Sequence, residues 1–313
     1  MTASSAPPVS PAQRLAAVEA GVPEPLRTLG RGVGQIFLQP SAITGLLIVI
    51  GIAVYSPLMA VEVIIGTVVA TASALYLGRE VPLGLEGYNA ALVGAASWLS
   101  IGRFWPATLA TLVGAAACPA VLRLIGKALS RTGLSPLTAP FCVTSGLIAM
   151  LLGSVAPALS SGGSATVHGS AIVLALKAVF TGVSEVVLAE SWIGGILILI
   201  GLFVAGWRAG LSALMGSVIG TLLTAATTSW TDAVHGLGGY SPCLTALALA
   251  AVLLPHSGRS WVIAAVGAAL TVLVGWVFTA LIPVPTYTWP FIVTTWIVLL
   301  VEPHLPGHVD EAV

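Results

Sequence analysis

The sequence predicts an all-α polytopic membrane protein built from two copies of one helical unit. Three observations carry this expectation. Of 313 residues, 57% are hydrophobic and 7% charged, with formal net charge zero and mean hydropathy +1.05, whereas a soluble domain carries about 25% charged residues. Apolar stretches suited to crossing about 30 Å of hydrocarbon recur along nearly the whole chain, at 42–78, 104–122, 193–225, 243–255, 261–282 and 290–301. They lack the short-period alternation of spanning β-strands. Finally, residues 30–54 laid over 180–204 give eleven identities in 25 positions without a gap, at an offset of 150.

Residues 1–26, rich in Ala, Pro and Ser and without an apolar h-region, read as a flexible N-terminal tail and not as a cleaved signal. The first membrane repeat runs over 27–158. A small-residue linker follows at 159–176, within and just beyond "APALSSGGSATVHGSA" (156–171). The second repeat occupies 177–301, and 302–313 form a C-terminal tail. Arginines and lysines near the segment ends are spread too evenly to set topology by charge. Cys118, Cys142 and Cys243 show no metal or redox spacing and read as buried, inert thiols.

Two further blocks support the duplication. "SPLTAPF" (135–141) and "PTYTWPF" (285–291) match at Thr138/Thr288, Pro140/Pro290 and Phe141/Phe291, and "GYNAAL" (87–92) matches "GYSPCL" (239–244). At each TxPF block the threonine can serve as N-cap with proline in the first turn, so a helix begins there. Either both helices start inside the membrane, with dipole and hydroxyl aimed at a substrate, or they are ordinary starts at the headgroups; two copies in matching places favour the first. Gln35 and Glu185 occupy equivalent positions, and Leu38 and Leu188, three residues on, are expected on the same helix face. Each half thus offers an acceptor oxygen beside an apolar wall. Glu185 reads either as a functional intramembrane acid or as a headgroup-level glutamate. Tyr88 and Tyr240 pair an aromatic face with a polar handle, or belong to an interfacial belt.

These blocks resemble the urea transporter family. "LSPLTAPF" (134–141) and "VPTYTWPF" (284–291) are similar to its duplicated LPxxTxPF signature, and "GVGQIFLQ" (32–39), "GYNAALVGAA" (87–96) and "GYSPCLTALAL" (239–249) to its other repeated blocks. The resemblance covers about residues 27–301. It implies two inverted repeats, each of about five transmembrane helices plus a re-entrant half-helix, with a pore between them. It also implies a homotrimer in the cell membrane that conducts urea passively, with no cofactor and no nucleic-acid partner. This chain departs from the pattern at Ser135, at Val284, at Leu38, where the family often has phenylalanine, and at Glu86. Urea is planar, with four N–H donors and one carbonyl acceptor, so a dry pore needs acceptors along an edge and flat apolar groups on the faces. Gln35, Glu185, Thr138 and Thr288 are the acceptor candidates. Tyr88, Tyr240, Leu38, Leu188, Phe141 and Phe291 are the wall candidates, although the phenylalanines can equally pack behind the pore.

Other classes fit less well. An ammonia channel would use paired histidines along its pore, but His168, His235, His256, His304 and His308 fall in the linker, in loops or near the C-terminus. A membrane enzyme would need a clustered nucleophile and base or metal ligands, and only Asp232/His235 and His304/His308/Asp310 hint at that. Conduction of small amides and proton-coupled symport, with Glu185 as carrier and Lys177 as a conceivable ion-pair partner, stay open.

Overall fold

The computed structural model describes residues 17–81, 83–152, 170–228, 230–282 and 285–305, with the backbone alone at Thr231 and Asp232. Among these residues there is no strand. The first half contains α1 (Glu24–Gly34), α2 (Ala42–Tyr55), α3 (Pro57–Tyr76), α4 (Tyr88–Ile101), α5 (Phe104–Leu129) and α6 (Ala139–Leu151). The second contains α7 (Ala171–Ser184), α8 (Trp192–Ala205), α9 (Trp207–Thr227), α10 (Tyr240–Leu247), α11 (Gly258–Leu281) and α12 (Trp289–Val301). A single helical turn, Trp230–Ala233, precedes α10, which runs on into a π-helical segment, Ala248–Leu253. The duplication is therefore also one of element order: α2 and α8 each have 14 residues, and α6 and α12 each have 13.

Four helices, α3, α5, α9 and α11, are long and apolar enough to cross a membrane, and six spans result if the bent pairs α1–α2 and α7–α8 each count as one. Those pairs bend by 72° and 74°. At 1.5 Å per residue the 13-residue α6 and α12 rise about 20 Å, less than the full hydrocarbon thickness. Each half thus combines full-length helices with short, broken ones. Such breaks survive at membrane depth when they are buried in protein. Faces are sorted accordingly: α3 turns Leu58, Val61, Ile64 and Val68 outward and buries Glu62, Gly66, Thr67 and Ala70.

The starts of α2 and α8 are fixed in matching ways. Ser41 accepts the Thr44 N–H (3.2 Å) and Ser191 the Gly194 N–H (3.0 Å), satisfying one orphan donor at each helix start. In the first half a carboxylate adds to this: Glu19 Oε1 accepts from the Ser41 hydroxyl (3.0 Å) and the Ala42 N–H (2.7 Å), and Glu19 Oε2 pairs with Arg31 at 3.2 Å. Glu19 is 4% exposed, so part of the expected flexible tail is docked; a carboxylate at a helix N-terminus gains from the dipole. Residues 1–16 lie outside the described residues. The expected linker lies outside them up to residue 169, and α7 begins inside it at Ala171, after Ser170. At the far end Glu302 is buried in a 3₁₀ turn and ion-paired with Arg259.

The halves meet in reciprocal contacts between α2 and α8. The Thr44 hydroxyl donates to the Gly201 carbonyl at 2.9 Å. Gly51 and Gly194 approach so closely that a Cβ on Gly51 would stand 2.9 Å from the Gly194 oxygen, and one on Gly194 would stand 2.7 Å from the Gly51 oxygen. At the 150-residue offset Thr44 corresponds to Gly194 and Gly51 to Gly201. The two contacts are therefore one contact seen from either copy, the pattern a two-fold relation produces. Glycines let the backbones close to this distance, as they do between membrane helices generally.

Candidate functional site

Each half contributes two interruptions. The first follows α1 and α7. Gln35–Phe37 and Glu185–Val187 form single 3₁₀ turns, closed when Leu38 N–H reaches Gln35 O (2.9 Å) and Gln39 N–H reaches Gly34 O (3.2 Å), with Leu188 to Glu185 (3.0 Å) and Ala189 to Ser184 (3.2 Å) in the second copy. This is a Schellman closure, which normally ends on glycine in the left-handed region. Here leucine occupies that position, Leu38 at φ 57° and Leu188 at φ 61°, at a cost of roughly 1–2 kcal/mol each. The expectation that Leu38 and Leu188 share a helix face with Gln35 and Glu185 is thereby corrected. The helix has ended, and the reversed φ redirects the side chain.

The second interruption precedes α6 and α12. Leu137 and Tyr287 have φ 50° and 42°. With Leu38 and Leu188 they are the four non-glycine residues of positive φ among the described residues, and they form two equivalent pairs. Backbone strain of this kind persists where the surroundings over-determine it, and it clusters at functional sites. Here tyrosines supply the surroundings: the Tyr88 hydroxyl donates to the Leu137 carbonyl, and the Tyr240 hydroxyl to the Tyr287 carbonyl at 2.6 Å. Both phenolic hydroxyls are thus committed to holding their own half's TxPF turn.

Thr138 and Thr288 stand at the N-cap positions of α6 and α12, yet neither side chain caps its helix. Their hydroxyls instead face each other across the halves at 2.6 Å. Each is 2% exposed. The capping expectation is corrected, because in the first half the acceptor comes from elsewhere: Asn89 Oδ1 takes the Phe141 N–H at 3.0 Å. Asn89 stands inside the GYN block, where the adjacent tyrosine is the more conspicuous signal. Cys118, Cys142 and Cys243 are free and buried as expected, and Cys142 Sγ lies 3.2 Å from Thr288 Oγ1. Trp296 on α12 ties the halves again by donating to the Ser135 carbonyl at 2.9 Å.

Tyr88, Phe141, Leu188 and Phe291 belong to one continuous apolar cluster drawn from both halves, against which Leu38 and Tyr240 pack. Phe141 meets Tyr287 edge-to-face, with centroids 5.0 Å apart. Both motif phenylalanines are among the largest fully buried side chains. Gln35 is buried, and one amide N–H donates to the Leu83 carbonyl (3.2 Å), leaving the amide oxygen and the second N–H for other partners. Glu185 is equally buried, and its carboxyl makes no hydrogen bond or ion pair with a described residue. Lys177 lies over the Trp192 ring at 5.9 Å, so no Lys177–Glu185 pair forms.

His235 bonds Glu190 at 2.5 Å, and the Asp232 side chain lies outside the described residues. So do His168, His308, Asp310 and Val284. Among the described residues no three His, Cys, Asp or Glu side chains come close enough to hold a metal. Glu86 sits opposite Arg79 at 2.7 Å in the turn before α4. The arrangement offers hydroxyl and carboxamide oxygens in an apolar surround, suited to a small neutral polar solute.

Comparison with known proteins assigns the family. The family model "Urea transporter" matches residues 26–303. Urea transporter 1 of Ovis aries is 27% identical over 298 residues, covering 88% of this chain and 77% of that protein. Urea transporter 1 of Mus musculus is 26% identical over the same length and coverage. With nearly its whole length matched, and with the repeated motifs meeting at one buried crossing, the chain belongs to the urea transporter family.

Proposed function

We infer that this protein conducts urea passively across a membrane, along a slot between its two halves that is narrowest where Thr138 and Thr288 meet. The observation that carries the reading is that hydroxyl pair: two buried groups at equivalent positions of a duplicated chain, neither used for capping, facing one another at 2.6 Å. A dehydrated urea needs oxygens for its N–H groups, and the threonines would open toward it. Gln35 and Glu185 act as acceptors on either side, Leu38, Leu188, Phe141 and Phe291 form apolar walls, and Tyr88 and Tyr240 hold the turns in place. Reciprocal α2–α8 contacts and three spans per half, the bent pair α1–α2 with α3 and α5 and the bent pair α7–α8 with α9 and α11, support inverted repeats, since an odd number of crossings turns the second copy over. Each protomer carries its own pore in a homotrimer within the cell membrane.

The test is urea flux in proteoliposomes, with and without an imposed proton or sodium gradient. Conduction that stops at equal urea concentrations supports the reading. Accumulation above equilibrium would instead make the protein a coupled transporter, and accumulation driven by the proton gradient alone would point to Glu185 as the carrier.

A further inference from the structure

Several buried polar atoms lack a hydrogen bond to any described residue, and six of them fall at equivalent places in the two halves: Thr71 and Thr221 Oγ1, Asn89 Nδ2 and Ser241 Oγ, Ser145 Oγ and Thr295 Oγ1. Buried polar groups are nearly always partnered, so orphans that recur in both copies point to a shared visitor. The middle pair adjoins the threonine crossing on the Asn89 side, where Asn89 holds the Phe141 N–H in the turn that Thr138 opens. Asn89 and Ser241 are 1% and 4% exposed, and each directly follows the tyrosine that pins its half's TxPF turn.

Asn89 has a defined orientation. Phe141 N–H is a donor, so the amide oxygen must face it at 3.0 Å, and the amide nitrogen turns toward the Tyr88 hydroxyl without closing a hydrogen bond of normal geometry, as the Ser241 hydroxyl does beside Tyr240. Urea's carbonyl oxygen, once stripped of water, needs such a donor, and the groups already assigned to the slot are ill-suited. Of these groups, Gln35 has already given one amide N–H to Leu83 and one threonine hydroxyl donates to the other, so acceptors outnumber the donors that remain.

We propose that Asn89, through Nδ2–H, and Ser241, through its hydroxyl, donate hydrogen bonds to the carbonyl oxygen of the amide passing the crossing, and so determine selectivity for oxygen-bearing amides. The proposal rests on the reading that this protein conducts urea. Acceptor oxygens alone would recognise any planar N–H donor; adding donors at these two positions distinguishes urea from analogues with a weaker acceptor.

Thiourea is the probe, because it keeps the four N–H groups and the flat shape but offers sulfur in place of oxygen. Urea and thiourea permeabilities are measured in proteoliposomes for the wild type, Asn89→Ala, Asn89→Ser and Ser241→Ala. Ser241→Ala removes no hydrogen bond to a described residue and should fold normally; Asn89→Ser retains a donor. The expected result is a fall in urea permeability of several-fold, up to about tenfold, in each alanine variant. Thiourea should change less, and Asn89→Ser should recover most of the urea flux. A parallel fall of both solutes would assign Asn89 to helix support alone and overturn the proposal. An unchanged urea-to-thiourea ratio in Ser241→Ala would overturn it as well. A wild type no more permeable to urea than empty liposomes would sink the conduction reading itself, an outcome visible before any variant is compared.

Discussion

Replacing Thr138 and Thr288 by valine, singly and together, should separate stability from conduction. The two hydroxyls are each other's partners at 2.6 Å and each is 2% exposed. Thr138→Val leaves the Thr288 hydroxyl with only the Cys142 thiol, 3.2 Å away, a weak partner. Thr288→Val leaves the Thr138 hydroxyl with none among the described residues. A buried hydroxyl without a partner costs about 1–3 kcal/mol, while removing both members of a pair with shape preserved is nearly neutral. Thr288→Val should therefore destabilise most, Thr138→Val somewhat less, and the double variant least. Flux should follow the opposite order. Each lost hydroxyl withdraws a hydrogen bond from a dehydrated urea at the narrowest point, so singles should slow by roughly 5- to 150-fold, the kinetic equivalent of about 1–3 kcal/mol. The double variant should be slowest of all. The assays are thermal unfolding in detergent and stopped-flow urea efflux at matched protein density. A double variant as unstable as the two singles added together, or one that conducts urea normally, would refute the pairing and the pore role respectively.

Glu185→Gln should keep substantial urea flux, because Gln35 occupies the equivalent position as an amide, whereas Glu185→Leu should nearly abolish it; stopped-flow efflux on both distinguishes acceptor from charge. Tyr88→Phe and Tyr240→Phe each unpin a left-handed turn, and should lower thermal stability by about 1 kcal/mol and reduce flux together. Glu19→Ala removes a buried carboxylate that serves α2 and Arg31, and should cost on the order of 2 kcal/mol in unfolding measurements while leaving the urea-to-thiourea ratio unchanged.

The architecture was legible because duplication left the same blocks at a constant spacing, and because lipid-facing helices of this length admit few other interpretations. What could be read poorly was direction. A helix that ends in a Schellman turn normally announces itself with glycine, and Leu38 and Leu188 gave no such signal, so they read as a continued helix face. The threonines read as caps because serine and threonine usually cap; that Asn89, some fifty residues earlier, would take over the duty in the first half depends on tertiary packing. Nor does sequence place Cys142, buried and free as expected, beside Thr288, 146 residues away. Residues 17–26 looked like tail by composition, which does not reveal that Glu19 finds three donors at the start of α2.

Positions on the internal two-fold axis have a different evolutionary freedom from those off it. A residue that touches its own counterpart once changed twice with every substitution, when both copies were encoded by one ancestral stretch; after fusion each copy drifts alone, and a change on one side must suit an unaltered partner. Thr138 and Thr288 have stayed identical. Off the axis, counterparts have parted company: Gln35 from Glu185, Asn89 from Ser241, Leu137 from Tyr287. In the proposed slot the two halves would therefore form differently furnished approaches to one threonine pair, so a solute arriving from either face would meet distinct chemistry before reaching the same crossing.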